Sequence, residues 1–188
     1  RLLGCMFNLY WVAESEASLV LVDQHAASER VVFDALRREG RLGRQELLHP
    51  VTLTLSPKGQ VAYAAHADEV KRAGFAIEPF GGDRVRVAAV PSFLGRRMPA
   101  DALRPLLDEL AEGGRPTIPD GLVDRVAASI ACHAAVRAGD TIEAEEMRQI
   151  LERVYALPEA SYACPHGRPI LVELGRARLD RWFLRTGP

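Results

Sequence analysis

Asp23, His25 and Glu29 lie within seven residues of one another, where an apolar run gives way to a helix-forming one. Leu19 to Val22 is a continuous β-forming stretch of the kind a buried strand needs. Ala26 to Arg38 reads as helix, with Val32 and Leu36 among its apolar positions. A carboxylate leaving a strand tip and a His/Glu pair one helical turn apart converge on one point. Carboxylate and imidazole are hard and borderline metal donors, so the junction has the composition of a cation site. The ordinary alternative is that Asp23 caps the helix and that His25 and Glu29 are a solvated pair.

A second group of donors stands near the other end of the chain, in Cys164-Pro165-His166. On extended backbone, residues two apart point the same way, so this thiol and imidazole can reach one ion. A Cys164-based hydrolase is the catalytic rival, its base supplied from elsewhere in the fold. Cys132 and His133 are neighbours on a predicted helix, about 100° apart in azimuth, so only one of them can face a shared metal. Cys132 is the preferred one, although a helical Cys is ordinarily packing.

The elements that must position these residues follow from periodicity and turn chemistry. Met6 to Ala13 reads as one strand, followed by a turn over Glu14 to Ser18, the Leu19–Val22 strand and a helix closing near Gly40. Gln45 to Pro50 is expected as a segment leading into an alternating strand through Val51, Leu53 and Leu55. Ser56-Pro57 opens a helix that Gly74 ends. Two strands, Phe75 to Phe80 and Val85 to Val90, are joined at Gly81-Gly82-Asp83. Asp101 is expected to cap a helix to Leu110, which breaks at Gly113-Gly114-Arg115-Pro116. Helices are expected over Leu122 to Ala138 and Ile142 to Ala156, then a strand from Ile170 to Leu174 and a short terminal helix.

With 188 residues and 48% hydrophobic content the chain can bury a sizeable core. Its 24 basic and 25 acidic residues nearly cancel, so there is no overall pull toward nucleic acid. Local arginines (Arg37, Arg38, Arg41, Arg44; Arg96, Arg97; Arg176, Arg178, Arg181) would have to supply it. Three cysteines are too few for a disulfide scaffold, which fits a reducing compartment. There is no phosphate-cradling Gly-rich loop, no signal peptide and no apolar run long enough to span a bilayer. The sequence starts at Arg1 and is expected to be part of a longer polypeptide.

Asp23-Gln24-His25-Ala26-x-x-Glu29 resembles the endonuclease motif of the C-terminal domain of MutL, the DNA mismatch repair protein. Ala131-Cys132-His133-Ala134-Ala135-Val136-Arg137-Ala138, Cys164-Pro165-His166-Gly167-Arg168-Pro169 and Phe183-Leu184-Arg185 resemble the family's further motifs, in the same order. Where the family has Glu five residues after the first Glu, this chain has Asp34. Five residues turn a helix by about 140°, so Asp34 cannot easily share an ion with Glu29 and is expected to pair with an Arg. Gln45-Glu46-Leu47-Leu48-His49-Pro50 fits the family's sliding-clamp pattern, with Gln45, Leu48 and Pro50 as its fixed positions; an extended peptide with apolar anchors suits a groove on a partner.

The resemblance implies an α/β (α+β) fold in two lobes. Residues 1–50 and 143–188 would form a dimerisation lobe with a mixed sheet and helices, and residues 51–142 an inserted regulatory lobe. It implies an Mn²⁺-dependent endonuclease that nicks double-stranded DNA, with Zn²⁺ occupying or regulating the same site. Asp23, His25 and Glu29 would be its catalytic residues. Cys132, Cys164 and His166 would be added metal ligands, and Asp34, Arg168, Phe183 and Arg185 would be supporting residues. Implied partners are a second copy, DNA, the replication sliding clamp, the mismatch-recognition protein MutS and the protein's own N-terminal ATPase region. The implied location is the bacterial cytoplasm, with the nucleoid. The alternative reading is a non-catalytic dimerisation and clamp-binding module with a structural zinc site.

Overall fold

The computed structural model describes residues 1–113, 122–136, 139–157 and 162–185. It is a mixed α/β structure, α+β in class, with two antiparallel sheets and six α-helices among the described residues. The chain divides into two compact units, residues 1–28 with 136–188 and residues 29–135. This division differs from the expected one, which put the boundaries at 50/51 and 142/143. The first boundary falls inside a helix, where sequence carries no linker signal.

In the first unit, β1 (Leu2–Met6), β2 (Tyr10–Glu14), β3 (Ser18–Asp23) and β8 (Leu171–Gly175) form a sheet in the order β1-β2-β3-β8. The single strand expected over Met6 to Ala13 is instead a hairpin. Its turn places Phe7 and Asn8 at φ 57° and 48°, the mirror-image turn geometry that matches strand twist. Asn tolerates that region and Phe rarely does, so the turn was hidden within an apolar run.

Strand register sets the two faces of this sheet. Trp11 pairs with Val22 and Ala13 with Val20, and this face lies beneath α5 (Ala144–Tyr155), whose Met147, Ile150, Leu151 and Val154 are buried. The opposite face carries Met6, Tyr10, Val12, Leu21 and Val172, as the pairs Met6–Tyr10, Val12–Leu21 and Leu21–Val172 require. Apolar residues on both faces mark a sheet built to be covered on both sides. The chain then ends in α6 (Arg176–Trp182), which has no buried residue.

The second unit contains a sheet in the order β4 (Gly43–Thr54), β6 (Arg84–Phe93), β5 (Ala76–Pro79), with β7 (Arg96–Arg97) paired to β6. Most of α1 (Gln24–Glu39), α2 (Pro57–Arg72), α3 (Leu103–Ala111) and α4 (Leu122–Ala134) belong here. Their buried faces, including Phe33, Val70, Leu103, Leu106, Leu107 and Ile130, form one core with Phe75. Ser56 caps α2 by accepting the Gly59 N–H, with Pro57 in the first turn as expected. Gly74 sits at φ 105°, and a Cβ there would stand 2.6 Å from the Gly43 carbonyl oxygen. Only glycine allows α2 to turn into β5 so close to β4.

Three expectations need correction. Gln45 to Pro50 is not a free segment; it is part of the long edge strand β4, where the pairing with β6 breaks between Glu46 and Val51. Asp101 is not a cap, because a 3₁₀ turn (Ala100–Ala102) begins after Pro99 and places Asp101 inside it. α4 ends at Ala134, short of Ala138. Residues 114–116 of the expected break, and Arg137 and Ala138, lie outside the described residues.

Candidate metal centre

Asp23 ends β3 and enters α1 at once. Its Oδ1 accepts the Ala26 N–H at 2.9 Å, so Asp23 caps the helix. The next residue, the fully buried Gln24, donates from Nε2 to the carbonyls of Asn8 and Asp140 at 2.7 and 3.1 Å. These bonds fix the first turn of α1 in the first unit.

His25 is held from the same side. Its Nδ1 lies 2.8 Å from the Val136 carbonyl oxygen. A carbonyl only accepts, so Nδ1 carries the proton and Nε2 presents its lone pair. Ser28 reinforces the contact by accepting the Val136 N–H at 2.8 Å. A metal-binding imidazole is ordinarily oriented in this way, by a hydrogen bond from its other nitrogen. Nothing in the sequence near His25 reveals that acceptor, which comes from 111 residues downstream.

Glu29 follows one turn later on α1 and is 1% exposed. It stands four residues after His25 in the same helix. Within the second unit, the Cys132 sulfur on α4 is within 4.8 Å of the Glu29 carboxylate. Cys132 rather than His133 faces that way, because His133 Nε2 points to Glu109 at 3.4 Å. Asp34 lies farther round the helix and pairs with Arg38 at 2.8 Å.

Cys164 and His166 sit in a tight hairpin of the first unit, their ligand atoms also within 4.8 Å. The Cys164 N–H donates to the Arg168 carbonyl at 2.8 Å, and the Gly167 N–H to the Cys164 carbonyl at 2.9 Å. The His166 N–H donates to the Cys164 sulfur at 3.4 Å. Cys164 is 3% exposed. The hairpin is tied to the other donors in its unit, since the Asp23 N–H donates to the Ile170 carbonyl at 2.9 Å. Asp23 and Arg168 line one groove of about 450 Å³ with Met6, Tyr10, Leu21 and Val172.

The donor types fit a divalent cation: a buried thiol, an imidazole with one nitrogen committed to proton donation, and a buried carboxylate. Among the described residues Asp23 belongs to none of the groups of three close donors and serves as the cap. Phe183 and Arg185 do not close the terminus over the donors; both are exposed, and their N–H groups end α6 by donating to Leu179 and Asp180 carbonyls. In β4, Leu47 packs partly on the core while Leu48 is 91% exposed, and Gln45 and Pro50 are exposed beside it.

Residues 3–142 match the family model described as the MutL C terminal dimerisation domain. A protein of Kosmotoga olearia named DNA mismatch repair protein MutL is 35% identical over 98% of this chain and 30% of its own length. The protein of that name from Sinorhizobium fredii is 40% identical over 94% of this chain and 30% of its own. That from Chelativorans is 39% identical over 94% and 29%. The chain thus spans about 30% of the length of the curated relatives it matches. The family match covers most of the sequence and takes in Asp23, His25, Glu29 and Cys132, and the chain belongs to the MutL C-terminal dimerisation domain family.

Proposed function

We propose that this chain is the metal-dependent endonuclease domain of a mismatch repair protein, nicking double-stranded DNA as a homodimer. The observation that carries the reading is the Val136 carbonyl on His25 Nδ1, which holds the imidazole as the orienting bond of a metal-binding histidine would. In this reading His25, Glu29 and Cys132, together with the Cys164–His166 hairpin, hold Zn²⁺ or Mn²⁺, and Asp23 contributes its second oxygen from the strand tip. Divalent ions bound there would neutralise charge on the phosphoryl oxygens and make a water nucleophilic.

The residues themselves divide the work. The carboxylates of Asp23 and Glu29 supply hard donors, the hairpin supplies softer donors that favour zinc, and the Asp23 cap fixes the strand-to-helix junction. Arg168, which lines the same groove as Asp23, is a supporting residue of the site. The outer sheet face with Met6, Tyr10, Leu21 and Val172 is the surface for a second copy. Trp11 is excluded from that surface, since it is 5% exposed and faces inward. The interrupted edge of β4, with Leu48 outward, is the docking segment for the sliding clamp. MutS and an N-terminal ATPase region complete the proposed partners, in the bacterial cytoplasm; no helix among the described residues is long and apolar enough to cross a membrane.

One observation favours a second reading, a dimerisation and clamp-binding module with a structural zinc site: the Cys164 sulfur already accepts a backbone N–H, as in closed zinc turns. A supercoiled-plasmid assay with Mn²⁺ separates the two. The catalytic reading expects nicking by the parent chain, supplied with the clamp, and its loss in Glu29→Gln. Equal nicking by parent and variant excludes Glu29 from the chemistry. A parent that retains zinc yet never nicks favours the structural reading.

A further inference from the structure

Glu109 reaches from α3 to two positions of α4. Its Oε1 accepts the Ser129 hydroxyl at 2.8 Å, and its Oε2 lies 3.4 Å from His133 Nε2. Ser129 is 1% exposed, and the Glu109 and His133 side chains are 16% and 17% exposed. The surrounding helix surfaces are apolar, with Leu106, Leu110, Val126 and Ile130 all buried. A carboxylate in such a place adds little net stability over an apolar residue of similar size, but it accepts only partners at defined positions. What it specifies is how α4 is turned.

Ser129 and His133 are one turn apart and share a face of α4. Cys132 lies three residues beyond Ser129, about 60° short of a full turn, and about 100° from His133. A carboxylate gripping both positions therefore sets the azimuth of Cys132, whose sulfur is within 4.8 Å of the Glu29 carboxylate in the same unit. A rotation of about 20° would carry an atom 5 Å from the helix axis through roughly 1.7 Å. Metal–ligand distances tolerate only about 0.2 Å.

We propose that Glu109 is a positioning residue of the metal centre, gripping Ser129 and His133 so that α4 presents Cys132 to the ion. The proposal rests on the metal reading given above, and its test has one arm that needs no metal. In a Cys5→Ser, Cys164→Ser background, Cys132 is the only thiol, and its alkylation rate reports its setting. Glu109→Leu, which keeps the volume and removes the Ser129 hydrogen bond and the His133 contact, should raise that rate roughly tenfold, the scale set by losing a hydrogen bond to a charged group. Ser129→Ala, a milder change, should raise it less, and Glu109→Gln should stay within about twofold, because an amide can serve both partners. Far-ultraviolet circular dichroism verifies folding, and Ser129→Ala carries the test if Glu109→Leu does not fold. Equal rates in parent and variants overturn the proposal, as does a Glu109→Gln rate matching Glu109→Leu.

The second arm uses Co²⁺ as the probe in chains with all thiols intact. The sulfur-to-Co²⁺ charge-transfer band of Glu109→Leu should fall to that of Cys132→Ser, with no further loss in the double variant. An undiminished band in Glu109→Leu overturns the proposal. A parent that takes up no Co²⁺, while the alkylation rates separate as expected, sinks the metal reading and leaves the grip standing.

Discussion

Asp23 carries two roles that one substitution pair can separate. Its Oδ1 accepts the Ala26 N–H at 2.9 Å and so caps α1, while its charge is assigned to metal binding. Asn caps a helix about as well as Asp, whereas Ala removes the acceptor at a cost of about 1 kcal/mol (range 0.5–2). For a chain of this length that corresponds to roughly 2–4 °C in Tm. Asp23→Ala should therefore melt a few degrees below the parent without metal, and Asp23→Asn should melt with the parent. In the Mn²⁺-supported nicking assay the two should fail alike, because neither has the carboxylate. Two results would refute this reasoning. If Asp23→Asn melts as low as Asp23→Ala, the charge and not the cap stabilises the junction. If Asp23→Asn nicks at the parent rate, Asp23 is only a cap.

Other expectations follow from the same geometry. Leu48→Ser should weaken capture on immobilised sliding clamp while moving stability by no more than about 0.5 kcal/mol, since Leu48 is almost fully exposed; undiminished capture excludes Leu48 from docking. Val172→Asp places a charge on the outer sheet face and should shift sedimentation equilibrium from dimer to monomer; an unchanged dimer would place the interface elsewhere. Asp34→Asn removes only a surface pair with Arg38, worth about 0.3–0.5 kcal/mol, and should leave nicking intact. Burial raises the Tyr63 phenol above its usual value of 10.0. The folded state thus favours the neutral phenol, and this contribution is whole below the unfolded value and lost as pH climbs through the folded one. Urea midpoints measured on the alkaline side should fall less steeply for Tyr63→Phe than for the parent.

Local chemistry was legible in the sequence wherever one short stretch contained the whole instruction. The β3 run Leu19 to Val22, the Ser56-Pro57 start of α2 and the Gly81-Gly82 turn all appear as read. The Phe7-Asn8 turn was missed because Phe argues against a positive φ and only Asn8 argued for it. The first half of β4 is not legible, because the adjacent Leu47 and Leu48 and the following Pro50 break the alternation that a paired strand shows. The His25 acceptor and the Glu109 grip were beyond reach for a different reason. Both join residues many turns apart in sequence, and both use a backbone carbonyl or an ordinary-looking Glu and Ser that no spacing rule selects. Family resemblance supplied what periodicity could not, namely the expectation that donors near both ends of the chain share one site.

In the proposed site, Glu29 of α1 and the Cys164–His166 hairpin hold the same ion. Competitive Co²⁺ titration, read at the sulfur charge-transfer band in a Cys5→Ser, Cys132→Ser background, tests it directly, because Cys164 is then the only thiol left. The claim predicts that Glu29→Ala weakens the ion giving that band by 10-fold or more, the order expected for loss of a charged, desolvated partner. A Cys164-dependent band whose Co²⁺ affinity is the same with and without the Glu29 carboxylate would contradict it.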